Sequence, residues 1–395
     1  MNILDQINQK CDAIFQEVVD IRRHIHANPE LSFEEHETSA FIQNKLTEYG
    51  IPFKAGFVKT GILARIDGKL PGGKVIALRA DMDALPILEA NNTSYCSKNN
   101  GVMHACGHDV HSANLLGVAK VLKSLEDEFA GTVLLIFQPG EEVNPGGAKL
   151  MLDEGLFNEI KPEIIVGLHV LPDLPAGTVG FRSGMYMASG DEIYINVKGK
   201  GGHGALPHKL TDNVLAAADI ITSLQHITSR NAPADIPTVL SFGKVIANGA
   251  TNIIPERVEM AGTLRTMNEP WRAKAKERIK EVAESVAKSY GAEAEVIVDH
   301  GYPVLYNDEK ITAIAKSAAE EILGADKVVD MGLRMTCEDF AYYSLDYPVT
   351  FYRIGVKDPS ANETSALHTS TFDIDETALK AGMKSMTAIA INLLK

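Results

Sequence analysis

The chain reads as a two-part α/β protein, a mostly parallel sheet with helices on both faces, carrying an inserted βαββαβ domain of the ferredoxin-like kind. Three observations predict this. Through the first half, strand-length apolar runs alternate with helical periodicity, the order that builds a parallel sheet. Near Gly184 the alternation gives way to a strand–helix–strand–strand–helix–strand series, the split βαβ arrangement. At 395 residues the chain exceeds what one hydrophobic core usually supports, so two domains are the default. Residues 1–184 and 300–395 are assigned to a discontinuous first domain, and 185–299 to the insertion.

Composition narrows the classes of partner. A hydrophobic content of 45% with 23% charged residues belongs to an ordinary globular protein. The net charge of −14 argues against nucleic acid or an anionic membrane as the main partner, since either needs a basic face. Cys11, Cys96, Cys106 and Cys337 form no C-x-x-C pair and no disulfide framework. Asp5, Lys10 and Asp12 interrupt any apolar leader, and no apolar run reaches membrane-spanning length, so a cytoplasmic protein is expected.

Along the chain, residues 3–27 read as one helix with Ile7, Ile14, Val18, Ile21 and Ile25 near helical spacing, stopped by Asn28-Pro29. His24 and His26, two apart, face different ways and cannot share an ion. A second helix is expected from Ser32, with Glu35 completing a capping box, to Gly50. Val75–Leu78 follows the Pro71-Gly72-Gly73 turn as a buried strand and leads into Asp81-Met82-Asp83. Thr132–Phe137 leads into Gln138-Pro139-Gly140-Glu141-Glu142, and Ile164–Leu168 into His169. Acidic and imidazole side chains thus follow three successive strands, where α/β sheets hold ligands. Between the first two strands, Met103–His111 packs one cysteine, three histidines and an aspartate, before a helix over 111–125. Thiolate and imidazole suit zinc-like ions; residue types alone leave open a polar, solvated loop.

The insertion is predicted as strand 190–198, helix 211–230, strands 236–246 and 256–265, helix 269–289 and strand 292–299. The first pattern resumes with helix 308–323, strand 348–354 and a last helix after Asp375. Lys200-Gly201-Gly202-His203-Gly204 lacks the G-x-x-x-x-G-K-[ST] pattern of a phosphate loop.

The stretches Arg22-Arg23-His24-Ile25-His26-Ala27-Asn28-Pro29-Glu30-Leu31, Leu78-Arg79-Ala80-Asp81-Met82-Asp83-Ala84-Leu85-Pro86, His104-Ala105-Cys106-Gly107-His108-Asp109, Phe137-Gln138-Pro139-Gly140-Glu141-Glu142, Gly201-Gly202-His203-Gly204-Ala205 and Leu367-His368 together resemble one family. It is the zinc aminoacylase and carboxypeptidase superfamily of co-catalytic metallopeptidases. Within it the chain resembles hippurate hydrolases, bacterial N-acyl-L-amino acid amidohydrolases and plant auxin-conjugate hydrolases, over its whole length.

The resemblance implies two divalent metal ions per subunit (zinc, manganese, cobalt or nickel) held by Cys106, His108, Glu142, His169 and His368. Glu141 is then the general base for water activated by the metal pair, and Asp83 orients a ligand histidine. It further implies that His203 steadies the developing oxyanion in a partner subunit's site, and that Asn252 and Arg265 hold substrate polar groups. An arginine fork suits a carboxylate, although a strand arginine at the surface is an equal reading. The expected reaction is hydrolysis of a small N-acyl-L-amino acid or short peptide by a homodimer paired through the insertion. Rivals on the same fold are a dipeptidase, a carboxypeptidase or an N-acetyl-diaminopimelate deacetylase. Outside it stand a cysteine-nucleophile hydrolase using Cys106, which leaves Glu142, His169 and His368 without a role, and a non-catalytic metal protein, which has no use for Glu141.

Overall fold

The computed structural model describes residues 2–360 and 365–395. Contacts divide the chain into two units: Met1–Gly184 with Tyr306–Gly332 and Tyr342–Lys395, and Met185–Leu305 with Leu333–Ala341. The sequence reading assigns residues 333–341 to the first domain. Their backbone bonds within the second unit instead: the Ala188 N–H donates to the Arg334 and Thr336 carbonyls, and the Arg334 N–H to the Tyr186 carbonyl.

The first unit is built on an eight-stranded sheet. Its strands are β1 (Phe53–Phe57), β2 (Gly61–Asp67), β3 (Leu70–Asp81), β4 (Ala130–Gln138), β5 (Ile164–Pro175), β6 (Val179–Phe181), β7 (Val328–Asp330) and β8 (Val349–Lys357). Their spatial order is β1-β2-β4-β3-β5-β8-β6-β7. The central β4, β3, β5 and β8 run parallel. β1 and β2 add antiparallel on one side, and β6 pairs antiparallel with β8 on the other. The central strands are buried on both faces, which is why they read as unbroken apolar runs. β1 is mostly exposed and gives no such signal, and the sequence reading lacks it.

The helices are α1 (Ile3–Ala13), α2 (Phe15–Ala27), α3 (His36–Glu48), α4 (His108–Ser124), α5 (Gly147–Asp153), α6 (Glu309–Leu323) and α7 (Ala378–Leu393). The single helix expected over 3–27 is broken at Ile14, whose backbone turns to φ −101°, ψ 3°. The break re-aims the chain so that Ile7 and Cys11 on α1, and Val18, Ile21 and Ile25 on α2, all enter one core. The capping box expected at Ser32 does not form. Glu30 caps α3 by accepting from the Glu37 and Thr38 N–H groups, while Ser32 and Glu35 turn toward the strand ends.

α4 is buried along nearly its whole length, packed against α2, α7 and the sheet. Gly117 makes this possible: a Cβ there would lie 2.5 Å from Met383 Sδ and 2.9 Å from Val18 Cγ2. The second unit has a four-stranded antiparallel sheet, in the order Thr238–Ile246, Arg257–Thr266, Ser189–Lys198, Glu293–Asp299. Helices Asn213–His226 and Glu269–Ser289 join it around a separate core that includes Ile193, Ile195, Ile220, Leu264 and Ile279. Among the described residues all four cysteines are free, and no helix is long and apolar enough to cross a membrane.

Replacing Gly117 by leucine forces side-chain bulk between α4 and two other helices. Urea unfolding should show a loss of about 1–3 kcal/mol; an unchanged midpoint would mean that the three-helix contact is loose.

Candidate metal centre

The site forms where β3, β4 and β5 bring chain segments to one edge of the first unit's sheet. β3 ends at Asp81, paired with Gln138 at the end of β4. β5 does not stop before His169 as the sequence reading has it. It runs on to Pro175 because β8 keeps pairing with it, whereas its recorded pairing with β3 ends at Gly167. His169 therefore stands on a strand just past the point where its neighbour leaves off. α4 starts at His108 rather than His111. Gly107 before it has φ +84°, and a Cβ there would come within 2.5 Å of Val170 Cγ2, so glycine lets the Cys106–His108 turn press against β5. From far along the chain, the His368 N–H donates to the Ala105 carbonyl at 2.8 Å, with His368 at φ +62°.

These contacts gather all five candidate ligands. Donor atoms of Cys106, His108 and His169 lie within 4.8 Å of one another, as do those of Cys106, Glu142 and His368, and those of His108, Glu141 and Glu142. The first two triads share Cys106, an arrangement suited to two ions.

Two of these imidazoles, those of His108 and His169, have one nitrogen engaged away from the centre. His108 Nδ1 lies 3.1 Å from Asp83 Oδ1, and His169 Nδ1 donates to the Val170 carbonyl at 2.8 Å. This leaves His108 Nε2 and His169 Nε2 for a ligand, the latter 3.3 Å from Cys106 Sγ. His368 Nε2 and His108 Nε2 lie 3.3 Å and 3.9 Å from Glu142 Oε1. Even so, His108 Nε2 and Glu142 Oε1 are buried without a hydrogen bond, among the described residues. Buried polar atoms are rarely left so, and a divalent cation would satisfy both.

The electrostatics point the same way. Burial opposes charge on His108, but Asp81, Asp83 and Glu142 outweigh it and push the imidazole up to about 10. Burial, with Glu142 and Glu141 nearby, drives the Cys106 thiol well above its ordinary range. Burial, His111 and Arg353 hold His169 well below the usual imidazole range. A Cys106–His169 pair is therefore poorly set to form a free thiolate nucleophile, whereas a cation would favour the thiolate directly.

Asp83 does more than face His108. Its Oδ2 also accepts from the Glu142 N–H at 3.0 Å and the Ser32 hydroxyl at 2.6 Å. His111 escapes the sequence reading as a site residue, although its spacing from His108, one helical turn, was a usable signal. Its Nδ1 meets Asp81 Oδ1 at 2.5 Å, and its Nε2 accepts from the Val170 N–H at 2.9 Å, next to His169. Asp81 is itself paired with buried Arg79 at 2.6 Å. His26, expected to be structural or exposed, is buried against Asp109 and Glu89, whereas His24 is exposed and stacks on Phe41. His104 is buried and held down to about 3 by burial, so its ring is neutral.

The remaining predicted residues belong to the second unit. His203 lies on the short strand Gly202–His203, opposite Ile253, and the Gly204 N–H donates to the Asn252 carbonyl at 2.8 Å. His203 and Asn252 are thus neighbours on one ribbon. Arg265 lies apart from that ribbon, on the four-stranded sheet opposite Gly190 and Val239.

A mostly parallel α/β sheet that converges a cysteine thiol, imidazoles and paired carboxylates at its edge defines a metal-dependent hydrolase class. The chain belongs to peptidase family M20/M25/M40, whose model matches residues 77–392. It is 40% identical over 364 residues to the N-acetyl-L-cysteine deacetylase of Bacillus subtilis, covering 92% of this chain and 85% of that protein. It is 40% identical over 306 residues to the N-acyl-L-amino acid amidohydrolase of Geobacillus stearothermophilus, covering 77% and 82%. A solved dinuclear metal-binding M20 peptidase from Bacillus subtilis superposes with a TM-score of 0.83 at 37% identity, covering 97% and 99%.

Glu35 supports the loop that carries Glu141. Its buried carboxyl accepts from the Gly140 and Phe33 N–H groups and from the Thr60 hydroxyl. Burial, then the nearby Asp83 charge, pushes it up from 4.5 to about 7. The folded state keeps this proton to a higher pH than the unfolded chain, so stability is lost as pH rises through that window. Relative to Glu35→Gln, chelator-treated wild type should lose about 3 kcal/mol between about pH 4 and about pH 8. Parallel stability curves for the two proteins would contradict this.

Proposed function

We propose that this protein is a metal-dependent amidohydrolase that cleaves the amide bond of small N-acyl-L-amino acids, giving a carboxylate and a free amino acid. The observation that carries the reading is the pair of triads sharing Cys106, with Glu141 grouped beside His108 and Glu142. Cys106, His108, Glu142, His169 and His368 would hold two divalent ions. The relatives named for N-acyl-L-amino acid and N-acetyl-L-cysteine hydrolysis support the substrate class.

When bound, the ions supply positive charge that acidifies a water and polarises the amide carbonyl. Glu141 accepts the water's proton on its carboxylate and returns it to the departing amine nitrogen. No side chain need be acylated. Asp83 keeps the His108 proton on Nδ1 and anchors the Glu142 backbone, so both ligands hold their orientation. His203 steadies the carbonyl oxygen as it becomes negative, in the site of a second copy of the chain paired through the second unit, and Asn252 and Arg265 hold the substrate's polar groups. The exposure of both His203 and Asn252 on one ribbon supports their use toward a partner or ligand. Thiolate, imidazole and carboxylate donors admit zinc, manganese, cobalt or nickel. A reducing compartment, the cytoplasm, suits a site built on a free cysteine.

The test is amino-acid release from N-acetyl and N-benzoyl amino acids and from dipeptides, before and after a chelator and with metal restored. Release from the acyl amino acids that stops with chelator and returns with metal is expected. Release from dipeptides alone would select the peptidase reading, and activity indifferent to chelator but lost to a thiol reagent would overturn the metal mechanism. Glu141→Gln should lower kcat by about 10²–10⁴-fold with metal content unchanged. Asp83→Ala should instead weaken metal binding about 10–100-fold, read by equilibrium dialysis.

A further inference from the structure

The described hydrogen bonds of Arg22 go to carboxylates and to His26 rather than to the candidate ligands, and it is fully buried among charges from segments that also carry His108 and His368. Its Nε donates to Asp109 Oδ2 at 2.7 Å, its Nη2 to Asp373 Oδ1 at 3.0 Å and its Nη1 to Glu376 Oε1 at 3.3 Å. Asp109 follows His108 in the first turn of α4. Asp373 follows His368 in the stretch between β8 and α7, which has no helix or strand among its described residues. The second Asp373 oxygen accepts from the Tyr95 hydroxyl at 2.8 Å, and the Tyr95 ring lies 4.8 Å from the Arg22 guanidinium. His26 Nδ1 meets the same Asp109 oxygen at 2.8 Å.

We propose that Arg22 is a positioning residue: through Asp109 and Asp373 it fastens the His368 segment to the helix that carries His108, and so decides whether the full ligand set assembles. The inference rests on the metal-site reading above. The His368 segment needs such a fastening. A non-glycine residue at φ +62° persists only where its surroundings over-determine it. Other holds on the segment are Ala90 N–H to the Ser370 carbonyl, Asn91 Nδ2 to the Phe372 carbonyl, His368 N–H to the Ala105 carbonyl and the buried Phe372 ring, while Asp375 N–H to the Val356 carbonyl and the forked Arg23–Glu376 pair grip its far end. Arginine suits the task because its planar fork reaches two carboxylates on different segments at once, which a lysine point charge does not do.

Arg22→Met would strand buried carboxylates and threaten folding, so the test uses Asp373→Asn, whose side chain is partly exposed. In metal-free protein, hydrogen exchange of the His368 amide should quicken by at least about tenfold while amides of β3 keep their wild-type rates. Cobalt titration should show affinity lowered about 10–100-fold. Tyr95→Phe, which removes only the hydroxyl bond to Asp373, should move both readouts the same way by a smaller factor, and serves if Asp373→Asn folds poorly. Unchanged His368 exchange, or exchange that quickens equally in β3, overturns the proposal, because a merely structural network would loosen the whole unit. Wild type that binds no cobalt overturns the metal-site reading instead, and His368 exchange, which needs no metal, still decides the role of Arg22.

Discussion

The site depends on one carboxylate, that of Asp83. Its two oxygens meet the His108 ring, the Glu142 backbone and the Ser32 hydroxyl, so one buried group ties the start of α4, the turn after β4 and the segment before α3. A carboxylate accepts several hydrogen bonds at once and donates none, which suits a junction of N–H and O–H groups. Because the shared proton sits on His108 Nδ1, the ring presents Nε2 inward. Ligand geometry is thus set by a residue that need not touch an ion.

Behind this junction lies a conflict of charge. Asp81, Asp83, Glu141 and Glu142 crowd one edge of the sheet, where Arg79 and His111 pair with Asp81 and His108 with Asp83. Like charges brought together in a buried setting raise one another's proton affinity, as the shifts of His108 and Cys106 record. With His108 Nε2 and Glu142 Oε1 buried without a hydrogen bond among the described residues, such a centre is well suited to divalent cations. Arg22 offers a contrast: burial opposes ionisation of Asp109, but Arg22 and His26 overcome it and hold that carboxyl well below the usual carboxylate range.

Backbone freedom at two glycines lets the segments meet. At Gly107 a side chain would strike Val170, and at Gly140, φ +62°, a Cβ would fall 2.2 Å from the Phe33 ring. The turns carrying Cys106 and Glu141 therefore approach β5 and the α3 entry more closely than any other residue would allow.

The sequence by itself determined the periodic elements, the βαββαβ series and the residue types that could serve a metal, because apolar spacing and ligand-type side chains are local properties of the chain. It misplaced what local spacing cannot see. The helix break at Ile14, the extension of β5 past His169 and the grouping of Leu333–Ala341 with the second unit all go with packing against distant segments. Only the tertiary structure decided which carboxylate orients which ring. Ser32, Asp83 and Glu142 meet at one point, as do Glu35 and Gly140, and Arg22, Asp109 and Asp373. In each case the partners lie far apart in the chain, and a hydrogen bond is set by distance in space, on which the order of residues is silent until the sheet has closed.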